Sequence, residues 1–335
     1  MAVETIAVTE DEAGMRLDRW FKARYPALTH VHLQKLLRTG QVRLDGKRVE
    51  AATRVAAGQA VRVPPLAAAA PVAPLPGRAP KAGMSAAEDR AFLKSITLYE
   101  DTDVLVLNKP HGLAVQGGSG LVQHLDRMLA SLADAKGQVP RLVHRLDRDT
   151  SGVILVAKNR RTAAALATSF KARTTRKIYW ALVKGVPKPR QGRISTFLVK
   201  EKGEDGDDRM RVAHQGEEDA QHAVTFYAVV ENAAQALSWV SLKPVTGRTH
   251  QLRVHMAEIG HPIVGDPKYF AIENYTLPGG IQNRLHLHAR RLVIPHPVRG
   301  TIDVTAPLPP HMQQSWNLLG FDASRYDPVE DAPEG

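Results

Sequence analysis

Cysteine is missing from all 335 residues. Its absence excludes disulfide frameworks, thiol nucleophiles, iron–sulfur clusters and cysteine-rich zinc sites. No apolar run reaches the 18 residues that a membrane-spanning helix needs. The N-terminal stretch MAVETIAVTEDEAG is acidic and carries no charged segment followed by an apolar core, so no secretory signal is expected and a cytoplasmic location is. Walker loops, dinucleotide fingerprints and Gly-x-Ser-x-Gly elbows are also absent, which removes support for nucleotide hydrolysis, hydride transfer and serine hydrolysis. Negative charge is in short supply: 34 Asp and Glu face 45 Lys and Arg, a net of +11. Such an excess points to a polyanionic partner, nucleic acid above all. The 43% hydrophobic content is enough for a real core. The length suggests two domains at roughly 150 residues each.

The charge is concentrated near the start. Gly14 to Pro65 holds eleven Lys and Arg against three Asp and Glu. Within it, Leu17, Trp20 and Phe21 recur at helical spacing. Pro26 stops that helix. Thr29 is placed to cap a second one, with Leu33, Leu36 and Leu37 inward and Gly40 just past its end. Alternation around Asp45-Gly46 predicts a hairpin from Val42 to Val49, and Ala60 to Val63 a further strand. Residues 14–65 therefore read as a small basic α+β module, followed by an Ala/Pro-rich linker at 66–83.

Residues 84–320 read as a second domain. A short helix is expected from Ala86 to Lys94. Strands are expected at Val104–Leu107, Val153–Val156, Ile178–Val183, Val224–Val230, Leu237–Leu242 and Ile302–Thr305, with helices at Thr162–Lys171 and Thr249–Ile259. Many strands without regular βα alternation predict an α+β fold on a mixed or antiparallel sheet. The polar stretch Lys200 to Gln221 reads as a mobile surface loop, and residues 321–335 as an acidic, frayed tail.

Three runs can carry chemistry. His144 to Gly152, HRLDRDTSG, packs charges into a tight loop before an apolar strand. A carboxylate between two arginines is expected to stay ionised and to serve as nucleophile or base. The alternative is a surface ion network joining Asp147 and Asp149 to Arg145 and Arg148. Thr246 to His255, TGRTHQLRVH, sets Arg248 and Arg253 at a helix start, where cations oppose the macrodipole and require an anion; solvated arginines are the plainer option. In Lys177 to Val183, KIYWALV, Tyr179 beside Lys177 suits stacking on an unpaired base, or simply fills the core. The fourteen histidines do not form a metal motif: His250 and His255 lie about 140° apart on a helix, and no metal is expected.

Taken together, HRLDRDTSG, KIYWALV, TGRTHQLRVH and NKPHGLAV at Asn108–Val115 resemble the signature segments of the RluA-type pseudouridine synthases, over about Ile96 to Pro310. Within that family the chain is most similar to the RluC-like branch acting on large-subunit ribosomal RNA. Residues 14–65 resemble the S-four-type RNA-binding domain. The resemblance implies a pseudouridine synthase catalytic domain behind a small RNA-binding domain, and a cofactor-free isomerisation of flipped uridines in large-subunit rRNA or a pre-ribosomal particle, by a monomer with no membrane partner. It implies Asp147 as the catalytic aspartate, Arg253 as its salt-bridge partner, Tyr179 against the target base, and Arg145 in the gap the base leaves. Arg248 is assigned to phosphate, and Lys35, Arg38 and Arg43 to RNA through the front module. The alternative is an rRNA-binding assembly factor without catalysis.

Overall fold

The computed structural model describes residues 3–9, 12–25, 28, 30–66, 85–117, 123–135, 137–172, 175–202, 208–214, 216–270, 277 and 279–333. Pro26, the expected cap Thr29 and linker residues 67–83 lie outside them. The chain divides into two compact units, Met1–Ala79 and Pro80–Gly335.

The first unit contains β1 (Glu4–Ala7), α1 (Leu17–Arg24), α2 (His30–Arg38), β2 (Arg43–Leu44) and β3 (Ala60–Val63). Residues 4–7 precede the module expected from the sequence, yet β1 pairs antiparallel with β3. Leu17, Trp20 and Phe21 are fully buried against Leu33, Leu36 and Leu37, as helical spacing requires. The expected hairpin is corrected. Asp45 and Gly46 do turn the chain with positive φ, but Lys47 makes only an isolated bridge to Leu44. The ladder partner of β2 is β3, so the second arm of a local hairpin is replaced by a strand from further along the chain.

The second unit opens with α3 (Ala86–Ser95), β4 (Thr97–Glu100), β5 (Val104–Lys109), α4 (Leu125–Leu129), β6 (Arg141–Leu142) and β7 (Ser151–Ala157). Then come α5 (Arg160–Lys171), β8 (Arg176–Lys184), β9 (Gln191–Lys202), β10 (Asp208–Val212), β11 (Gln221–Ala233) and β12 (Leu237–Pro244). The unit continues with α6 (Gln251–Glu258), β13 (Leu287–Pro295), β14 (Thr301–Thr305) and α7 (Pro310–Leu319). Its sheet has eleven strands in the order β10-β9-β11-β12-β8-β13-β7-β5-β4, with β14 on β13 and β6 on β7. Among the described strands, β13 with β7 is the one parallel pair. The fold is α+β with a mixed sheet.

Alternation along β8 separates two cores. Ile178, Trp180 and Leu182 pack with Trp239 and with Trp316 of α7, while Ala181 and Val183 pack with Leu252 and Met256 of α6. Tyr179 shares the α6 side, so this face holds the site.

Three expectations fail here. The stretch from Lys200 is not simply a loop: β9 runs to Lys202 and β10 returns along it, with Arg211 joined to Glu201 and Glu217. As far as residue 333 the acidic tail is not frayed. Asp327 accepts hydrogen bonds from Trp180 Nε1 and Ser241 Oγ, Glu330 pairs with Arg176 and Arg291, and Val329 is buried. Asp327 and Glu330 find partners on the sheet, which composition cannot reveal. Thr249 does not cap α6; the helix starts two residues later, behind His250.

Candidate active site

The loop HRLDRDTSG folds as a turn in which the Thr150 amide donates to the Asp147 carbonyl at 3.2 Å. Gly152 ends it at φ 109°, where a Cβ would overlap the Ala289 carbonyl of β13. Glycine is therefore what lets this loop run straight into the only parallel pairing among the described strands. His144 is structural: its Nε2 accepts from the Leu155 amide at 2.8 Å, and burial lowers its pKa to about 3.

Lys109, at the end of β5, holds the loop from behind. Its ammonium is fully buried and donates to the carbonyls of Arg148 (2.8 Å), Leu113 (2.7 Å) and Pro110 (3.2 Å). Burial lowers its pKa to about 7, against the pull of Asp149 and Asp147. The segment NKPHGLAV does not by itself assign this lysine a task. A lysine closing an apolar strand was the available signal.

The turn presents Asp147 to α6. Arg253 Nη1 lies 3.4 Å from Asp147 Oδ2, and His250 Nε2 lies 3.9 Å from the same oxygen. Arg253 is buried, and its strongest partner is one that sequence reasoning missed. Asp266, with no side-chain exposure, accepts from Nε and Nη2 at 2.7 Å each. Burial works against the guanidinium charge, and Asp266 with Asp147 holds its pKa above the ordinary value. The anion expected beside the helix start is thus a carboxylate pair. Asp266 follows Gly265, whose φ of 71° and contact with the Arg284 backbone leave no room for a Cβ. That glycine is the sequence signal for a fixed carboxylate, although nothing local ties it to Arg253.

Gln251, buried at the first turn of α6, ties the preceding loop down. Its Oε1 accepts from Thr246 Oγ1 and the Arg248 amide, and its Nε2 donates to the Val224 carbonyl and Thr225 Oγ1. Arg248 itself is exposed, its Nε donating to the His222 carbonyl at 3.2 Å.

Tyr179, Lys177, Asp147, Arg145, Arg248 and Arg253 line one cavity of about 120 Å³. Asp147, Arg145, His250 and Arg253 also line an adjoining cleft of about 600 Å³ with Arg148, Arg209 and Lys268. Burial, with Asp147's charge added, pushes the Tyr179 phenol well up. Burial also lowers Lys177. The flanking arginines divide: Arg148 forms an ion pair with Asp149 at 3.0 Å, while Arg145 stands exposed on the rim. The ion-network alternative therefore describes Asp149 but not Asp147.

The front-module residues lie in the other unit. Lys35 and Arg38 are exposed on α2. Arg43 donates to the carbonyls of Gly40 and Gly46, which gives it a local task in holding the turn. Among the described residues, one group has metal-ligand spacing, Asp101, Asp103 and His296. It lines neither cavity, and its carboxylates already accept from backbone amides, Asn159 and Thr162. No described helix is long and apolar enough to cross a membrane.

Comparison with known proteins agrees with this geometry. Residues 103–258 match the RNA pseudouridylate synthase family model. Ribosomal large subunit pseudouridine synthase C of Escherichia coli K12 is 37% identical over 304 residues, which cover 90% of this chain and 91% of that one. Mitochondrial RNA pseudouridine synthase 4 of Arabidopsis thaliana is 35% identical over 389 residues, covering 94% and 82%. The solved structure of human RNA pseudouridylate synthase domain-containing protein 4 superposes with a TM-score of 0.59 at 29% identity, over 71% of this chain and 97% of that one. The segments that build the cleft and the likeness along nearly the whole length lead to one conclusion: the chain belongs to the RNA pseudouridylate synthases.

Proposed function

We propose that this enzyme isomerises uridines of large-subunit ribosomal RNA, with Asp147 as the reacting carboxylate. The observation that carries the reading is the placement of Asp147 within 3.4 Å of a buried, doubly anchored Arg253, in a cavity shared with Tyr179. The name of the E. coli relative supports the choice of RNA.

The reaction breaks the bond from uracil N1 to ribose C1′ and joins C5 to C1′. One proton leaves C5 and one is gained at N1, so atoms balance without oxidation. A target base has to leave its stack, at a cost of a few kcal/mol. Arg145, exposed at the rim, fills the vacated space, and Arg248 takes a phosphate. Tyr179 packs on the extruded base. Arg253, immobilised by Asp266, keeps the Asp147 carboxylate oriented. The first unit, an S-four-type domain, adds affinity through Lys35 and Arg38 with little sequence selection. Arg43 serves the same surface through its turn. The enzyme works as a cytoplasmic monomer.

The test is release of tritium from large-subunit rRNA carrying label at uracil C5. The wild-type protein releases label, and Asp147→Asn slows release by at least about 10²-fold. Equal rates remove Asp147 from the chemistry. RNA binding without any release supports the non-catalytic assembly factor instead.

A further inference from the structure

We propose that His250 is a positioning residue for Asp147, and that the β9–β10 hairpin sets its orientation through Tyr269. The inference rests on the reading of Asp147 as the reacting carboxylate and concerns how that carboxylate is held.

His250 occupies the left-handed region, φ 51°, at the junction before α6. That conformation is unusual for a residue with a side chain and persists only where its surroundings over-determine it. The ring makes no capping bond to α6. It is directed sideways instead, with Nδ1 2.9 Å from Tyr269 Oη and Nε2 3.9 Å from Asp147 Oδ2.

The direction of these contacts follows from the backbone. The Met210 amide donates to Tyr269 Oη at 2.9 Å. An amide is an obligate donor, so Oη accepts there, and its own proton is free to go to His250 Nδ1, the direction the proposal assigns. A neutral imidazole that accepts at Nδ1 carries its hydrogen on Nε2, facing Asp147. The chain of donors therefore runs from Met210 through Tyr269 and His250 to the carboxylate. A 3.9 Å separation is longer than a hydrogen bond, and such contacts in a free enzyme commonly tighten when substrate binds.

The groups around the ring fit a neutral donor. Burial lowers the His250 pKa, Asp147 and Asp266 oppose that, and Arg253 and Lys268 add to it. A neutral N–H orients the carboxylate without discharging it. The Arg253 guanidinium lies over the Tyr269 ring, 5.1 Å from its centroid, and the Tyr269 amide donates to Asp266 Oδ1. Both neighbours of Asp147 are thus anchored at the same short segment, 266–269. Met210 sits on the edge strand β10, and its N–H points away from β9, which makes the hairpin the outer support of the relay.

Single-turnover isomerisation and RNA affinity, measured on the labelled rRNA, separate this role from others. His250→Ala is expected to slow the reaction by about 10²-fold with affinity unchanged, as misplacement of a reacting group does. His250→Gln, which keeps an N–H, recovers most of the rate. Tyr269→Phe slows the reaction, and the double variant His250→Ala with Tyr269→Phe is no slower than His250→Ala alone, because the two act in series. Met210→Pro, which deletes the amide donor at a tolerated edge position, mimics Tyr269→Phe, while Met210→Leu does not. Multiplicative losses in the double variant, a His250→Gln as slow as His250→Ala, or a loss confined to affinity overturns the proposal. Asp147→Asn is run beside them: full activity there sinks the underlying reading, whereas its inactivity combined with any overturning result sinks only the relay. Thermal melts confirm that each variant is folded.

Discussion

The two units use positive charge in opposite ways. On α2 of the first unit, Lys35 and Arg38 are exposed to solvent. In the second, Arg253 of the cleft and Lys109 behind it are buried and bound to carboxylates and carbonyls at 2.7–3.4 Å. Exposed charge acts over a distance set by salt, so it governs encounter and affinity. Buried charge is hardly screened but must be matched atom by atom, so it governs geometry. The same two residue types are therefore open to solvent at α2 in one unit and fixed in alignment in the other.

The largest effect that sharpens this contrast is acid sensitivity. His144 and His288 have pKa values lowered to about 3, and His255, His286 and His311 to about 4, all chiefly by burial and all in the second unit. Between their unfolded value near 6.5 and these folded values, the unfolded chain binds more protons. Stability is therefore lost as pH falls through that window. Hydrogen exchange at pH 7 and pH 5 is expected to show the second unit losing protection before the first; equal protection at both values breaks the comparison.

The next effect concerns Asp266. Asp266→Asn leaves the Arg253 charge buried with half its support, which costs on the order of 3–5 kcal/mol in stability. Urea unfolding measures the loss, and the tritium rate is expected to fall with it, since Arg253 is no longer held against Asp147. A variant with wild-type midpoint and rate shows that Arg253 needs no anchor.

The smallest effect on turnover is expected in the first unit. Lys35→Glu with Arg38→Glu should weaken RNA binding and reduce the slope of log affinity against log salt by about 0.7–0.9 per lost phosphate contact. The rate at saturating RNA should hold. Collapse of that rate means that the module positions substrate directly.

Much of the second unit was legible because its strands obey local rules. Val104–Leu107 and Val153–Val156 are continuous apolar runs, and both are central strands. β13 is absent from the expected strands, since LHARRLVIP breaks its alternation at a register shift between Ala289 and Arg291. β9 was not seen because polar residues occupy its outward face. At the site, Asp147, Arg253 and Tyr179 stand out as charges or an aromatic in unusual runs. Asp266 and Tyr269 do not, because their meaning lies in what they touch.

Composition and periodicity determined the basic character, the helical faces of α1 and α2, the central strands and the charged loop before β7, since each depends on neighbours within a few residues. Tertiary structure alone decided that Asp266 anchors Arg253, that Glu330 returns to the sheet, and that Met210 supports Tyr269. Those contacts join segments distant in the chain, and a hydrogen bond depends on distance and angle, which no local pattern of residues encodes.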